Sequence, residues 1–517
     1  MRQPIAFALC CVLGAPLAGC SSNATEEASA SGPGAVDAGA GDATPPTNGG
    51  RWPACDATAT TQRVSFVHMN DMHGHYNQTP NGGPANVARI RGLFESVQRD
   101  NPFTLFTNGG DDYEKGSVAE PISQYQSTRE VSAALDFDVR VIGNHDFAWS
   151  QAQLLEYTRG DRAIVLASNI KYIGSDPQKY GAVQYAELTV GCVKIGFMGA
   201  VSGPWDDENN PLSADYYKEF PTDLDFVKVH RDLIAEHRKD VDLLVAISHL
   251  GVGDDAVVAA QAPGLDFILG GHSHTVMFNP EVVGGTAIVQ AGSYGGFAAH
   301  LDVDFDLQSR KVSGYEYELT PASLIPVAST SDVAEKRVEA ILDKYAPHAF
   351  EPVARAKNVT HAIDAARFAA EGAKLALQVD AAAMKTSAVF NAVKAGPLSE
   401  QDLFDVFLIE RQPPGTPGWT STWTASMTGA DLRKLDGLSP TEWAWLLPAT
   451  IDDAKSYVVS LPRFAATHPE KYLPAGVVLG DVKFAAETWE LLEEQAKART
   501  QGCRYLDVDE PLPGCAP

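Results

Sequence analysis

Short apolar runs that end on polar residues recur through the first half of the chain. Val64-Ser65-Phe66-Val67-His68-Met69 predicts a buried strand and runs into Asn70-Asp71-Met72-His73-Gly74-His75. Pro84 to Gln98 has helical spacing, and Phe103 to Thr107 predicts a second strand that opens into Asn108-Gly109-Gly110-Asp111-Asp112. A further helical stretch leads to Val139-Arg140-Val141-Ile142, which stops at Gly143-Asn144-His145-Asp146. Val241 to Ser248 ends at His249, and Leu265 to Leu269 ends at Gly270-Gly271-His272-Ser273-His274. Strands alternating with helices predict a layered α/β domain whose polar residues collect at strand C-termini. Past Thr320, helices are expected at Val333 to Tyr345, Ala365 to Val379 and Lys483 to Thr500, with strands at Leu403 to Ile409, Thr420 to Thr424 and Tyr457 to Leu461.

With 517 residues the chain exceeds one ordinary core, so two domains are expected. Its formal net charge of −26 leaves no basic surplus to neutralise phosphates, which excludes nucleic acid as a partner. An anionic substrate must then be attracted locally, by metal ions for example. Arg2, the apolar run Ile5 to Leu17 and the closing Leu17-Ala18-Gly19-Cys20 predict a secretory signal over residues 1–20, too short to span a membrane stably. Its ending resembles a bacterial lipobox, which implies cleavage before Cys20 and lipidation of that thiol. Ser21 to Gly50 is rich in Ser, Ala, Gly, Asp and Pro, so residues 21–55 are expected to be a disordered tether. The implied location is the bacterial cell envelope, periplasm or outer membrane, with a lipid anchor on Cys20. Of the cysteines beyond the leader, Cys503 and Cys515 are close in sequence and Cys55 and Cys192 could form the other pair, although four cysteines allow three connectivities.

Five strand ends present Asp71 and His73, Asp111, Asn144 and His145, His249, and His272 and His274. Imidazole and carboxylate suit zinc, manganese, iron or cobalt, and an amide oxygen is a plausible extra ligand. Asp-x-His and His-x-His let both side chains turn toward one point once the strand breaks, and adjacent glycines allow the tight backbone this needs.

These motifs, Asp71-Met72-His73, Gly110-Asp111, Gly143-Asn144-His145-Asp146, Ser248-His249 and Gly271-His272-Ser273-His274, resemble those of the calcineurin-like metallophosphoesterases. Gly191 to Gly199, Gly270 to Thr275 and Val289 to Gly295 bring the chain nearer to the 5′-nucleotidase / UDP-sugar hydrolase family, over residues 63 to about 320. The resemblance implies a four-layered α/β/β/α dinuclear metallophosphoesterase domain at 56–322 and a smaller α/β 5′-nucleotidase C-terminal-like substrate domain at 323–517. It also implies two divalent metal ions, zinc, manganese or similar. Asp71, His73, Asp111 and His274 would hold one, and Asp111, Asn144, His249 and His272 the other, with Asp111 bridging. A metal-bound water would be the nucleophile, and His145 would face the phosphate of a nucleotide or other small phosphoester.

The pattern also departs from the family. An aspartate three residues after His145 is expected to orient it, and that position is Ala148, leaving Asp146 as the adjacent carboxylate. The segment from Asp111 to Ser117 is one residue longer than the common form. In the second half, Phe390 stands where an arginine is expected, and Leu408-Ile409-Glu410-Arg411 replaces a Pro-Phe-x-Asn segment. Phe464, Trp443 and Trp445 are the candidates for base stacking, with core packing as the competing explanation. The expectation is therefore phosphoester hydrolysis, 5′-nucleotidase-like. The alternatives are a 2′,3′-cyclic phosphodiesterase or another ester hydrolase of the same architecture, or a non-catalytic surface binding lipoprotein.

Overall fold

A computed structural model describes residues 51–79, 82–159, 162–170, 181–202, 222–407, 409 and 417–514. The expected leader, Cys20, the tether as far as Gly50, Leu408, Glu410, Arg411 and Cys515 lie outside the described residues.

The first sheet is built from β1 (Thr61–Met69), β2 (Thr104–Asn108), β3 (Val139–Val141), β4 (Ile164–Leu166), β11 (Phe297–Asp306) and β12 (Lys311–Pro321). Its strand order is β12-β11-β1-β2-β3-β4. The second sheet is built from β5 (Tyr185–Val190), β6 (Val193–Met198), β7 (Leu243–Ile247), β8 (Phe267–Gly270), β9 (Glu281–Val283) and β10 (Thr286–Gln290), in the order β5-β6-β7-β8-β10-β9. β1 to β4 pair in parallel, as do β6, β7, β8 and β10, so their C-termini share an edge in each sheet.

Alternation along each strand explains the layering. Val64 and Phe66 join Val245 and Ile247 in a core between the two sheets. Val67 and Met69 face the other way, onto Ile90 and Phe94 of the helix Asn86–Asp100 and Val131 and Leu135 of the helix Gln126–Leu135. Leu244 and Ala246 likewise meet Ile234 and Val258, on the helices Phe226–His237 and Val252–Gln261. Burial on both faces is why these strands read as unbroken apolar runs. The α/β/β/α layering expected from sequence is observed.

The second half forms a five-stranded sheet from β14 (Ala381–Lys385), β16 (Thr422–Thr428), β17 (Trp443–Leu446), β18 (Ser456–Pro462) and β19 (Gly480–Ala486), ordered β17-β14-β18-β16-β19. A two-stranded pair, β13 (Pro352–Ala356) with β15 (Gly396–Ser399), stands beside it. Two expectations fail here. Residues from Leu403 onward are not a strand, because the Ser399 hydroxyl and the Asp402 carboxylate form a capping box that starts the helix Glu400–Phe404. Lys483 to Thr500 is not one helix: Lys483 lies in the edge strand β19, and the helix Thr488–Gln501 begins at a second capping box, Glu487 with Glu490.

Cys55 and Cys192 are disulfide-bonded, and Cys503 is also in a disulfide. Among the described residues no helix is long and apolar enough to cross a membrane.

Candidate metal centre

The parallel strands of both sheets end at one rim. His68 on β1 ties the sheets together there by donating from Nε2 to the Gly270 carbonyl at the end of β8 (3.0 Å). Beyond β1, β2 and β8 the chain reverses tightly: Asp71, His73, Asp111, His272 and His274, five of the seven expected ligands, have φ between 48° and 76°. Non-glycine residues seldom adopt this left-handed conformation, and where several are held in it the surrounding contacts must enforce it. The Asp71 carboxylate accepts from Asn70 Nδ2 (2.5 Å) and from the backbone N–H of His272 (2.9 Å). The His73 N–H donates to the Asp111 carbonyl (2.9 Å). A Cβ on Gly143 would collide with the Asp111 carboxylate, so only glycine lets β3 end so close to it.

All seven side chains converge. Asp71, His73 and His274 form one group able to hold a cation, and Asp111, His249 and His272 form a second, the ligand atoms of each lying within 4.8 Å of one another. Asp111 Oδ2 lies between the groups, 3.5 Å from His73 Nε2 and 3.1 Å from His249 Nε2. Asn144 Oδ1 completes the second group at 3.1 Å from His249 Nε2 and 2.9 Å from His272 Nδ1.

The donor chemistry fits cations. His249 Nδ1 and His73 Nδ1 each meet a backbone carbonyl, of Gly109 (2.6 Å) and Tyr113 (3.0 Å), and a carbonyl only accepts. Each ring therefore carries its proton on Nδ1 when neutral and aims the Nε2 lone pair at other acceptors. His73 Nε2 faces His274 Nε2 at 3.2 Å and Asp71 Oδ1 at 3.9 Å. Acceptors facing acceptors in a buried site repel unless a proton or a cation lies between them. Burial holds His73 well below its ordinary pKa and takes His272 down to about 3, which favours the neutral ring whose lone pair a cation can share. Burial also opposes charge on His249, but the Asp111 carboxylate prevails and pushes its pKa up to about 10.

His145 belongs to a third group, with His73 and Asp111, but its own contacts set it apart. Its backbone N–H donates to Asp111 Oδ1 (2.7 Å), and its Nδ1 lies 2.5 Å from Glu114 Oε2. Burial and Lys115 disfavour its charged form, yet Asp111 and Glu114 outweigh them and raise its pKa. A histidine that retains its proton is a poor ligand and a good anion partner. Asp146, the carboxylate next to it in sequence, does not orient it: its oxygens accept from the backbone N–H groups of Gly143 (2.7 Å), Asp112 (2.8 Å) and Asp111 (3.2 Å). Burial, then Asp112 and Asp111, push Asp146 up to about 8. Its place is as a brace between the β2 and β3 loops.

Sequence reasoning missed Glu114, Glu120 and Gln401. The one available signal was the extra length between Asp111 and Ser117, which carries Glu114. Glu120 accepts the Glu114 N–H (2.9 and 3.1 Å), Trp149 Nε1 (2.8 Å) and the Thr128 hydroxyl (2.5 Å). From the second half, Gln401 donates to the Gly116 carbonyl (2.8 Å) and accepts the Val118 N–H (2.9 Å).

Burial raises Glu120 from 4.5 to about 7. Between these values the folded protein binds a proton that the unfolded chain has lost, so stability increases as pH falls from 7 toward 4.5. Glu120→Gln removes that slope, a difference on the order of 3 kcal/mol across the window. Denaturant unfolding of both proteins in chelator at pH 8, 6 and 5 measures it.

The base-stacking candidates are not brought to this rim as an open clamp. Trp443 and Phe464 are buried in the core of the second half, and Trp445 packs against that core, stacked on Trp443 with ring centroids 6.3 Å apart. Phe390 is exposed, and Ala148 is buried.

Layered sheets with a ligand-rich rim define a class, and sequence comparison agrees. Residues 64–276 match the calcineurin-like phosphoesterase family, so the chain contains a metallophosphoesterase domain, a class that implies divalent metals. Its relatives include 5′-nucleotidases. That of Mus musculus is 24% identical over 57% of this chain and 55% of its own length, and that of Bos taurus 25% identical over 57% and 55%. The chain thus spans about half the length of the curated relatives it matches. Among solved structures, a 5′-nucleotidase precursor of Thermus thermophilus superposes with a TM-score of 0.62 at 18% identity, covering 87% of this chain and 97% of that one. A sulfate thiohydrolase of the same organism gives 0.58 at 15% identity, covering 88% and 97%. These likenesses are of fold.

Proposed function

We propose that the chain is a two-cation hydrolase of phosphate esters, 5′-nucleotidase-like, anchored in the bacterial envelope through Cys20. The observation that carries the reading is the convergence of seven ligand side chains from five strand ends on two groups that meet at Asp111. In this reading Asp71, His73, Asp111 and His274 hold one zinc, manganese or similar ion, and Asp111, Asn144, His249 and His272 hold the other. When bound, such a pair polarises a phosphoryl group and activates water near neutral pH. The Asn70 side-chain amide and two backbone N–H groups fix the ligand carboxylates: Asn70 Nδ2 and the His272 N–H aim Asp71, and the His145 N–H aims Asp111. The His145 imidazolium faces the phosphoryl oxygens and stabilises the charge that develops on them. Arg2, the apolar run to Leu17 and the Leu17-Ala18-Gly19-Cys20 ending support export and lipidation. The division into a catalytic domain at 56–322 and a substrate domain at 323–517 is part of the same reading.

Exposed Phe390 and the buried rings of Trp443 and Phe464 favour a second reading, in which another ester, such as a 2′,3′-cyclic nucleotide, is the substrate. A panel of AMP, UDP-glucose, 2′,3′-cyclic AMP and an aryl phosphate with added manganese, run beside the Asp111→Asn variant, separates them. Release from AMP that vanishes in the variant establishes a nucleotidase. Opening of the cyclic ester to a nucleoside monophosphate without hydrolysis of AMP makes the chain a cyclic phosphodiesterase, and release from the aryl ester alone keeps the phosphoesterase and removes the nucleotide label. No release from any of the four, with metal bound, leaves a binding lipoprotein.

A further inference from the structure

We propose that Glu114 is the positioning residue of His145: its carboxylate holds the imidazole Nδ1 and so sets the direction in which the opposite edge of the ring meets substrate. The inference rests on the phosphoesterase reading and adds to it a residue outside the metal ligands.

Three features of the chain support it. Glu114 Oε2 stands 2.5 Å from His145 Nδ1, with both side chains almost wholly shielded from solvent, at 1% and 4% exposure. Such a contact is charge-assisted, short, and more costly to break than a surface pair, because each group would be left buried. Second, Glu114 is itself held in an unfavourable backbone conformation, with φ of 71°, and Lys115 after it has φ of 79°. Two left-handed non-glycine residues in succession run against local preference, so contacts from elsewhere in the fold must enforce them. They do: both Glu120 oxygens accept the Glu114 N–H, Trp149 and Thr128 hold Glu120, and Gln401 brackets Gly116 to Val118 from the second half of the chain. Third, the carboxylates of Asp111 and Asp146 are committed elsewhere. Asp111 Oδ1 takes the His145 backbone N–H, and Asp146 takes three backbone N–H groups. Ala148 has no side chain that could do this work.

A ring nitrogen held by a carboxylate fixes the tautomer and narrows the orientations of the ring, which matters when the transition state tolerates little misplacement. The segment Asp112 to Val118 thus supports two histidines, His73 through the Tyr113 carbonyl and His145 through the Glu114 side chain, and Gln401 brackets its far end. The loop that carries Glu114 is therefore braced by a contact from the second half of the chain.

The test is a double-mutant cycle of Glu114→Ala and His145→Ala on the metal-loaded full chain, with Glu114→Gln as a second variant in case alanine unfolds the loop. Glu114→Ala is expected to lower kcat about 10- to 100-fold with KM and metal content unchanged, and Glu114→Gln, which keeps an acceptor, to recover part of the loss. In the His145→Ala background, Glu114→Ala is expected to cost nothing further, because it acts only through the ring. An equal loss in both backgrounds, or no loss in either, overturns the proposal. A readout independent of turnover accompanies the cycle: the His145 Nδ1 proton in the metal-free protein should give a strongly downfield NMR signal that both Glu114→Ala and His145→Ala remove. If the wild-type protein hydrolyses no ester, the phosphoesterase reading fails, and this signal still decides the positioning. Its presence in wild type and loss in Glu114→Ala sustain the contact, and its absence from wild type refutes it.

Discussion

Asp111→Asn is expected to abolish ester hydrolysis, by at least about 10³-fold in kcat, and to lower bound metal from two ions per chain to one or none. The size follows from the place of Asp111 among its neighbours. Its Oδ2 is the only carboxylate oxygen among the described residues that lies within 3.5 Å of histidines from both groups, His73 on the β1 loop and His249 after β7. Its Oδ1 meanwhile takes the His145 N–H, so the carboxylate cannot swing away without breaking the β3 loop. Asparagine keeps one oxygen, removes the negative charge that two adjacent cations share, and turns an N–H₂ toward one group of lone pairs. Deleting a single electrostatic donor commonly costs roughly 10²–10³-fold, and here both cation sites are damaged together. Elemental analysis after gel filtration, beside the rate on an aryl phosphate, reads both effects. A variant that keeps two ions and more than about a tenth of the rate would remove the bridging role.

His145→Ala is the second large effect, and its signature is different. The ring contributes no ligand in the proposed arrangement, so metal content should not change. Its work falls in the transition state, where negative charge accumulates on the phosphoryl oxygens. The expected result is a fall in kcat of roughly 10²–10³-fold with KM nearly constant, since an interaction made mainly in the transition state lowers kcat and kcat/KM together. The loss should be steeper for esters with poor leaving groups than for activated aryl phosphates, because more charge must then be stabilised. Loss of a bound ion in His145→Ala would instead place the ring among the ligands, as the His73, Asp111, His145 grouping allows geometrically.

Much of the catalytic half is legible before folding, for a physical reason. β1, β2, β3, β7 and β8 are buried on both faces, so each reads as an apolar run, and each stops where the rim begins. A polar residue after such a run has left the core, and when five runs end on histidine, aspartate or asparagine the ends must be gathered somewhere. Parallel pairing gathers them. What the sequence conceals is which carboxylate serves which histidine. Asp146 is adjacent to His145 in the chain, but three backbone N–H groups in the β2 and β3 loops claim it first. Glu114 reaches His145 only because two left-handed residues turn the chain, and no local propensity announces that turn.

The second half shows the opposite balance. Ser399-Glu400-Gln401-Asp402 is a capping-box pattern that starts a helix on its own, and it outweighs the strand-like apolar spacing from Leu403 onward. β19 is an edge strand with Phe484 exposed, so its alternation was masked by the helical composition that follows Glu487. Trp443, Trp445 and Phe464 illustrate the ambiguity of aromatics: the same residues suit a stacking platform or a core, and here Trp443 and Phe464 are core while Trp445 packs against it.

The most direct measurement is phosphate release from an aryl phosphate as a divalent cation is titrated into chelator-treated protein, with bound metal counted at each point. Two-cation phosphoester hydrolysis predicts no release without metal and a rate that reaches its plateau when two ions are bound per chain. A rate that is already maximal with one ion, or two bound ions with no release from any ester offered, would contradict it.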